Sequence, residues 1–165
     1  MDDEETPRAI RSVAVTADDV VAAYEARQRS PRRPVLRVTP PFSGRMRARL
    51  HDPGPAVNES ESDETTGEEV GDRDPATGAI YLPPERLLDA DAIGAFPSPD
   101  DTEDALRADS EVEFTVERHR ERHVEAVEEW REAVRGALVD EVVIRLDGGG
   151  THRVEVKTLA NSAGE

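Results

Sequence analysis

Arginines concentrated in one interval are the residues of this sequence best suited to binding chemistry. Between Glu25 and Asp52 there are eight arginines and no acidic residue, so this interval carries +8 while the whole chain carries −16. Each guanidinium offers a planar fork of donors that matches phosphate and carboxylate oxygens. The arginines expected to form a binding surface are Arg32, Arg33, Arg37, Arg45, Arg47 and Arg49.

Three interpretations of this arginine-rich interval are open. Its arginines can face acids of the same chain, such as the segment 59–74, as in structural ion-pair networks. They can bind an acidic protein partner, and a non-enzymatic binding or adaptor domain with an arginine-rich hairpin face is the function we favour. They can instead bind nucleic acid, although phosphate contacts weaken steeply with salt and Phe42 is the only aromatic residue nearby in the sequence.

A second candidate site is the histidine pair of the sequence HRERH, His119 and His123. Their i,i+4 spacing places both imidazoles on one helical face, where they could share a metal ion. Arg120 occupies the place at which a zinc protease has glutamate, and a third ligand would have to be His51, His152 or a carboxylate. We expect partly exposed histidines at the edge of the core, predict no cofactor, and keep a metal-dependent enzyme as the least favoured alternative.

Two loops have a partial likeness to catalytic or phosphate-binding loops. Ser43 lies in the loop of residues 40–44 but lacks a G-x-S-x-G context, so a rigid hairpin loop with Phe42 packed on the core is predicted. The glycines at 148–150 lack the helix and lysine that follow a phosphate-binding loop, and predict a hairpin turn. The sequence therefore gives no positive indication of an enzyme.

The elements that must position these residues form an α+β pattern. Apolar spacing predicts a helix capped by Thr16, shorter helices over 85–92 and 100–108, and a long helix. Thr115 is the favoured cap of the long helix, and a capping box at residues 110–113 is the alternative start. Alternation predicts hairpins over 35–51 and 142–157 and a further strand at 78–82, with Arg45, Arg47 and Arg49 on one face of a single strand. The predicted fold is an antiparallel sheet of about five strands, two hairpins plus one strand, with two or three helices packed on one face.

Composition also predicts the domain organisation. One α+β domain is expected over residues 12–160, after a disordered acidic tail at 1–11 and before a disordered tail at 161–165. Residues 52–76 contain nine acids, one arginine and many Gly, Pro, Ser and Thr residues without periodicity. That composition indicates a flexible acidic insertion between two strands.

The balance of charges predicts a habitat. Lys157 is the only lysine among 21 basic residues, and acid-rich, lysine-poor chains suit concentrated salt, where charge repulsion is screened within roughly 3 Å at 1 M. A GC-rich genome would also favour arginine over lysine.

The absence of cysteine excludes disulfides and thiolate sites. No apolar run approaches the ~20 residues of a membrane span, and the acidic N-terminus is unlike a signal peptide, so a halophilic cytoplasmic protein without a membrane partner is expected.

Four blocks of the chain resemble a known family: VTADDVVAAYEARQ, PVLRVTPPFSGRMRARLH, TVERHRERHVEAVEEWREAV and HRVEVKTL. They are similar to a haloarchaeal family of small uncharacterised proteins, a domain of unknown function. The resemblance covers most of the chain outside the acidic tail and the insertion. It implies a saline habitat and one shared domain, and it brings no activity, cofactor or site residue to this sequence.

Overall fold

The computed structural model describes residues 6–52 and 71–159. The residues predicted as tails at 1–5 and 161–165, and 53–70 of the predicted insertion, lie outside this range. The described elements are β1 (Ser12–Thr16), α1 (Ala17–Arg29), β2 (Val35–Val38), β3 (Arg45–Arg47), β4 (Arg49–His51), β5 (Ile80–Leu82), α2 (Pro99–Ala108), α3 (Val116–Gly136), β6 (Glu141–Arg145) and β7 (Thr151–Leu159). Short 3-10 helices lie at Pro7–Ala9, Pro84–Leu87 and Ala90–Ala92.

The chain divides into two compact units. The larger comprises Met1–Asp89 and Leu138–Glu165, and the smaller comprises Ala90–Ala137. All seven described strands and α1 belong to the larger unit, whereas α2 and α3 belong to the smaller one. The sequence had predicted one domain over residues 12–160.

A four-stranded sheet in the larger unit has the order β3-β1-β7-β6. Its second strand, β1, runs parallel to both neighbours, with Val13 opposite Met46 on one side and Val156 on the other. The predicted hairpin of β6 and β7 is confirmed, with Val142 opposite Val154. Alternate residues face the core because side chains alternate along a strand, and the buried ones are Val13, Val15, Val142, Ile144, Val154 and Val156.

A three-stranded antiparallel sheet, in the order β4-β2-β5, completes the strands of the larger unit. Leu36 lies opposite Leu50 and Leu82; Leu36 and Leu82 are fully buried, whereas Leu50 is 41% exposed. Helix α1 contacts β1, β2 and β4. Its predicted cap is confirmed, because the Thr16 side chain accepts a hydrogen bond of 3.2 Å from Asp19 N.

The α+β class is confirmed, but the single antiparallel sheet is not. Residues 45–51, predicted as one strand, form two short strands on either side of buried Ala48, whose N–H donates to Ala14 O at 2.9 Å. The strand before Ala48, β3, pairs with β1, and the strand after Ala48, β4, pairs with β2. This change of partner, together with the parallel strand β1, produces two sheets.

Two segments that the sequence assigned to the tail and the insertion have defined structure in their described parts. Pro7 and Ile10 are buried, and His152 Nε2 lies 2.7 Å from Ile10 O. Asp72 is also buried, and Arg73 forms an antiparallel bridge with Ile80. The apolar side chains at 7 and 10 explain why the chain before β1 is held against the sheet.

The smaller unit is built by α2 packing on α3. Thr115 caps α3 as predicted, accepting from Arg118 N at 3.1 Å. Trp130 is 5% exposed, and its Nε1 donates to Gly94 O at 3.0 Å. The single antiparallel sheet on which the helices were predicted to pack is absent, because the seven described strands form two sheets.

Two smaller observations concern the helices. Residues 85–92, predicted as a short helix, instead contain parts of two 3-10 helices. Among the described helices, none is long and apolar enough to cross a membrane.

Candidate anion-binding surface

The arginines around the end of α1 have acidic partners within the chain. Arg27 pairs with Glu85 at 3.3 Å, Arg29 with Glu25 at 2.9 Å, and Arg32 with Asp52 at 2.7 Å. The Arg33 side chain donates to Arg32 O at 3.0 Å. Part of the arginine-rich interval, including the predicted site residue Arg32, is therefore neutralised internally.

The arginines of the three-stranded sheet are placed differently. Arg37 on β2 lies directly opposite Arg49 on β4, so their Cβ atoms are about 5 Å apart and their side chains share one face of the sheet. No hydrogen bond or ion pair joins either guanidinium to a residue within 6–52 or 71–159. Like charges in directly opposed positions destabilise a sheet unless an anion lies between or above them.

Two aromatic rings lie on the same face as this arginine pair. Tyr81 on β5 is opposite Arg37, and the Tyr81 ring stacks on His51 with centroids 5.5 Å apart and planes at 27°. We call Arg37, Arg49, His51 and Tyr81 the Arg37 face. The sequence missed both rings as members of the site, because the pairing of β2 with β5 joins segments more than forty residues apart.

One carboxylate borders the Arg37 face. Asp74 Oδ2 accepts a hydrogen bond from the Tyr81 hydroxyl at 3.2 Å and another from Thr77 at 3.0 Å. The Ala76 N–H, followed by these hydroxyls, holds the pKa of Asp74 below its ordinary value despite some desolvation. Asp74 is thus held as an anion by neutral donors.

The two arginines of β3 lie on the four-stranded sheet. Arg45 is opposite Ser12 and Arg47 is opposite Ala14, which in turn is opposite Lys157. Arg47 Nε is buried and has no hydrogen-bond partner in the part of the chain that the structure describes. The alternation predicted for this segment holds at Ala48, which is buried, and fails at Leu50, which is 41% exposed. The six predicted site arginines are divided among a paired group, the Arg37 face and β3.

The histidine pair of α3 holds the smaller unit together. His119 Nε2 lies 2.9 Å from Pro99 O, and His123 Nδ1 lies 3.1 Å from Thr102 Oγ1, so each ring joins α3 to α2. Both residues are half-buried, as expected for histidines at the edge of a core. Within the described ranges, no three side chains of the metal-binding types are grouped so that they could hold an ion.

The remaining candidate residues also have local structural roles. His51 belongs to the Arg37 face, and His152 is bonded to the backbone of residue 10. Ser43 Oγ donates to Arg45 O at 3.1 Å, inside the loop that joins β2 to β3. Gly148 and Gly149 have positive φ angles of 87° and 101°, which glycine adopts readily, and they form the hairpin turn between β6 and β7.

Comparison with known proteins gives the family. Residues 1–160 match a family described as a domain of unknown function, DUF8009. The chain belongs to this family. Searches of curated proteins and of solved structures found no match. The DUF8009 match confirms the predicted resemblance to a domain of unknown function, while the haloarchaeal origin stays a prediction. The match over residues 1–160 spans every described element, so the Arg37 face and the β3 arginines lie within the DUF8009 domain.

Proposed function

We propose that this chain is a non-enzymatic binding domain that takes an acidic protein segment on the Arg37 face, with further contacts from Arg45 and Arg47 on β3, the strand that precedes β4 in the sequence. The observation that carries the proposal is the direct opposition of Arg37 and Arg49 without a described carboxylate partner. A partner carboxylate would convert this repulsion into two charge-assisted hydrogen bonds.

The arrangement of donors favours a carboxylate-bearing chain. Because Arg37 and Arg49 are directly opposed, two guanidiniums share one face of the sheet and can meet neighbouring acidic side chains. Arg37 is half-buried, which strengthens its contacts relative to a fully solvated arginine. A protein of net charge −16 repels other anions at long range, so such binding depends on close contacts.

Nucleic acid is the second candidate partner, and the stacked rings of His51 and Tyr81 favour it. Single-stranded nucleic acids bind by stacking bases on aromatic rings while arginines contact the phosphates. The Arg37 face has both components side by side. The same arginines would then bind phosphate oxygens.

Fluorescence anisotropy with a labelled polyglutamate peptide and a labelled single-stranded oligonucleotide tests the proposal. In the double variant Arg37→Gln/Arg49→Gln we expect peptide affinity to fall about tenfold or more, because a hydrogen bond to a charged group contributes about 1.5–3 kcal/mol. The control is Arg120→Gln/Arg153→Gln, which removes the same charge from two exposed positions elsewhere. Equal losses in the two double variants would refute a defined surface.

Tyr81 variants separate the two partners. Tyr81→Phe keeps the ring that stacks on His51, whereas Tyr81→Leu removes it. Peptide binding should be similar in both variants if the partner is acidic protein. A loss of oligonucleotide binding confined to Tyr81→Leu, with little peptide binding in the parent chain, would favour nucleic acid instead.

A further inference from the structure

A second cationic site lies in the larger unit, apart from the Arg37 face. Three segments, 6–8, 73 and 145–147, line a cavity of ~220 Å³. Each contributes one arginine, namely Arg8, Arg73 and Arg145, and one acid, Asp147, also lines the cavity. Three segments that are distant in sequence therefore bring three guanidiniums to one small space.

The segment bearing Arg8 is fixed by its neighbours. Ile10 is fully buried, and its carbonyl accepts from His152 Nε2 at 2.7 Å. Thr6 Oγ1 accepts from Arg8 N at 3.1 Å, which closes the short 3-10 turn. The Arg8 guanidinium lies near Gly150, where an added Cβ would be 3.7 Å from Nη2. The backbone that carries Arg8 is thus held in place before any ligand binds.

The segments bearing Arg73 and Arg145 are fixed to each other by Asp72. The Asp72 side chain is 3% exposed and pairs with Arg86, while its Oδ2 accepts from Arg145 N at 2.7 Å. Gly71 packs so closely that a Cβ there would lie 2.5 Å from Arg145 O. Only glycine fits this contact, which holds the residue before Asp72 against β6 and so sets the position of Arg73.

The charges of the cavity are balanced only in part by the described residues. Arg145 Nε lies 3.4 Å from Asp72 Oδ1, but the Arg8 side chain bonds to nothing within the described ranges. Among the described residues, the Arg73 side chain makes one hydrogen bond, from its Nε to Gly78 O at 3.3 Å, a neutral acceptor. With Asp147 counted, the lining carries three positive charges and one negative charge, a net of +2. We propose that this cavity binds a phosphate group.

Charge and size select the ligand class. A phosphate group carries about −1.5 to −2 at neutral pH, which matches the charge of the lining, and its oxygens accept from several arginine forks at once. Sites for drug-sized ligands occupy about 300–1,000 Å³, so ~220 Å³ suits inorganic phosphate or a small phosphate monoester better than a nucleotide or peptide. This proposal involves different residues from the Arg37 face and does not depend on it.

Calorimetric titration of the full chain with inorganic phosphate tests the site. We expect saturable binding that weakens at least tenfold in Arg8→Gln. Arg8 is the variant of choice because it makes no described side-chain bond whose loss would perturb the fold. Arg11→Gln is the matched control, since Arg11 is exposed, lies three residues away and does not line the cavity. No saturable binding, or equal loss in both variants, would overturn the proposal.

The variant Asp147→Asn gives a test with the opposite sign. The asparagine oxygen can still accept the 3.3 Å hydrogen bond from Gly71 N, while the negative charge in the cavity is removed. Phosphate should then bind several-fold more tightly, and weaker binding would contradict an anion at this position.

Parallel titrations with glycerol phosphate show whether the ligand is inorganic phosphate or a small phosphate monoester. Equal affinity identifies the phosphate group alone as the ligand, and tighter binding identifies a small monoester, provided that Arg8→Gln weakens both.

Discussion

Replacing Asp72 with asparagine tests whether one buried carboxylate stabilises the larger unit. The Asp72 side chain is 3% exposed and accepts hydrogen bonds from the Arg86 guanidinium and from Arg145 N. Asparagine keeps the shape and one acceptor oxygen but removes the charge that balances both arginines. We therefore expect the variant to fold with a lower free energy of unfolding.

The size of the Asp72→Asn effect follows from burial. Removing one partner of a fully buried ion pair costs about 3–5 kcal/mol, because the other charge is left uncompensated. The Arg86 side chain is 24% exposed and the Arg145 side chain 63% exposed, so water recovers part of this loss. We expect the free energy of unfolding to fall by about 2–3 kcal/mol and the melting temperature by roughly 4–12 °C.

Urea unfolding followed by far-ultraviolet ellipticity measures the effect of Asp72→Asn in dilute and in molar KCl. The loss should persist in molar salt, because salt screens a buried pair much less than an exposed one. Asp89→Asn is the control: Asp89 is exposed and should change stability by less than about 0.5 kcal/mol. Equal small losses in the two variants would refute a stabilising role for the Asp72 charge.

Three further predictions concern individual residues. Trp130→Ala should cost about 3–5 kcal/mol, measured by urea unfolding, because it removes a buried ring and its hydrogen bond to Gly94; a loss below about 1 kcal/mol would contradict the packing. Gly71→Ala should destabilise by more than about 1 kcal/mol in thermal melts, because its Cβ would lie 2.5 Å from Arg145 O, whereas Gly94→Ala meets nothing within 4 Å. The folded-state pKa of Asp74 is lowered, so its ionised carboxylate adds to the free energy of unfolding above the unfolded-state pKa, and this addition is lost as the pH falls through the folded-state pKa. In Asp74→Asn the free energy of unfolding should therefore fall less between neutral and acidic pH than in the parent chain. Identical profiles of stability against pH in the two proteins would contradict this prediction.

The sequence predicted elements whose determinants are local. The hairpin of β6 and β7 follows from alternation around a glycine turn, and α3 follows from helical spacing after a threonine cap. Strand β1 was missed even though Val13 and Val15 alternate with smaller residues, because five residues before a strong helix cap are a weak local signal. Its parallel partners come from residues 45–47 and 155–159, and no local pattern identifies such distant pairing.

The candidate sites were predictable only in part. The unusual run of arginines was visible, but their division into acid-paired and strand arginines depends on where Glu85 and Asp52 lie in the fold. Asp72 could not be distinguished in sequence, because it is one of nine acids in a stretch without periodicity. Its importance comes from the close approach of Gly71 to β6, a tertiary contact that composition does not encode.

The charge balance of the chain bears on the role that we propose for the Arg37 face. The chain has 37 acidic and 21 basic residues, so acids are abundant enough to pair every arginine. The described acids do pair with Arg27, Arg29 and Arg32 at the end of α1, either within the helix or with residues of other segments. On the Arg37 face the register instead opposes one arginine to another, an arrangement that a single change to glutamate at position 37 or 49 would convert into a cross-strand ion pair. Stability alone would favour that change, and the anion that we propose to bind the Arg37 face would remove the repulsion.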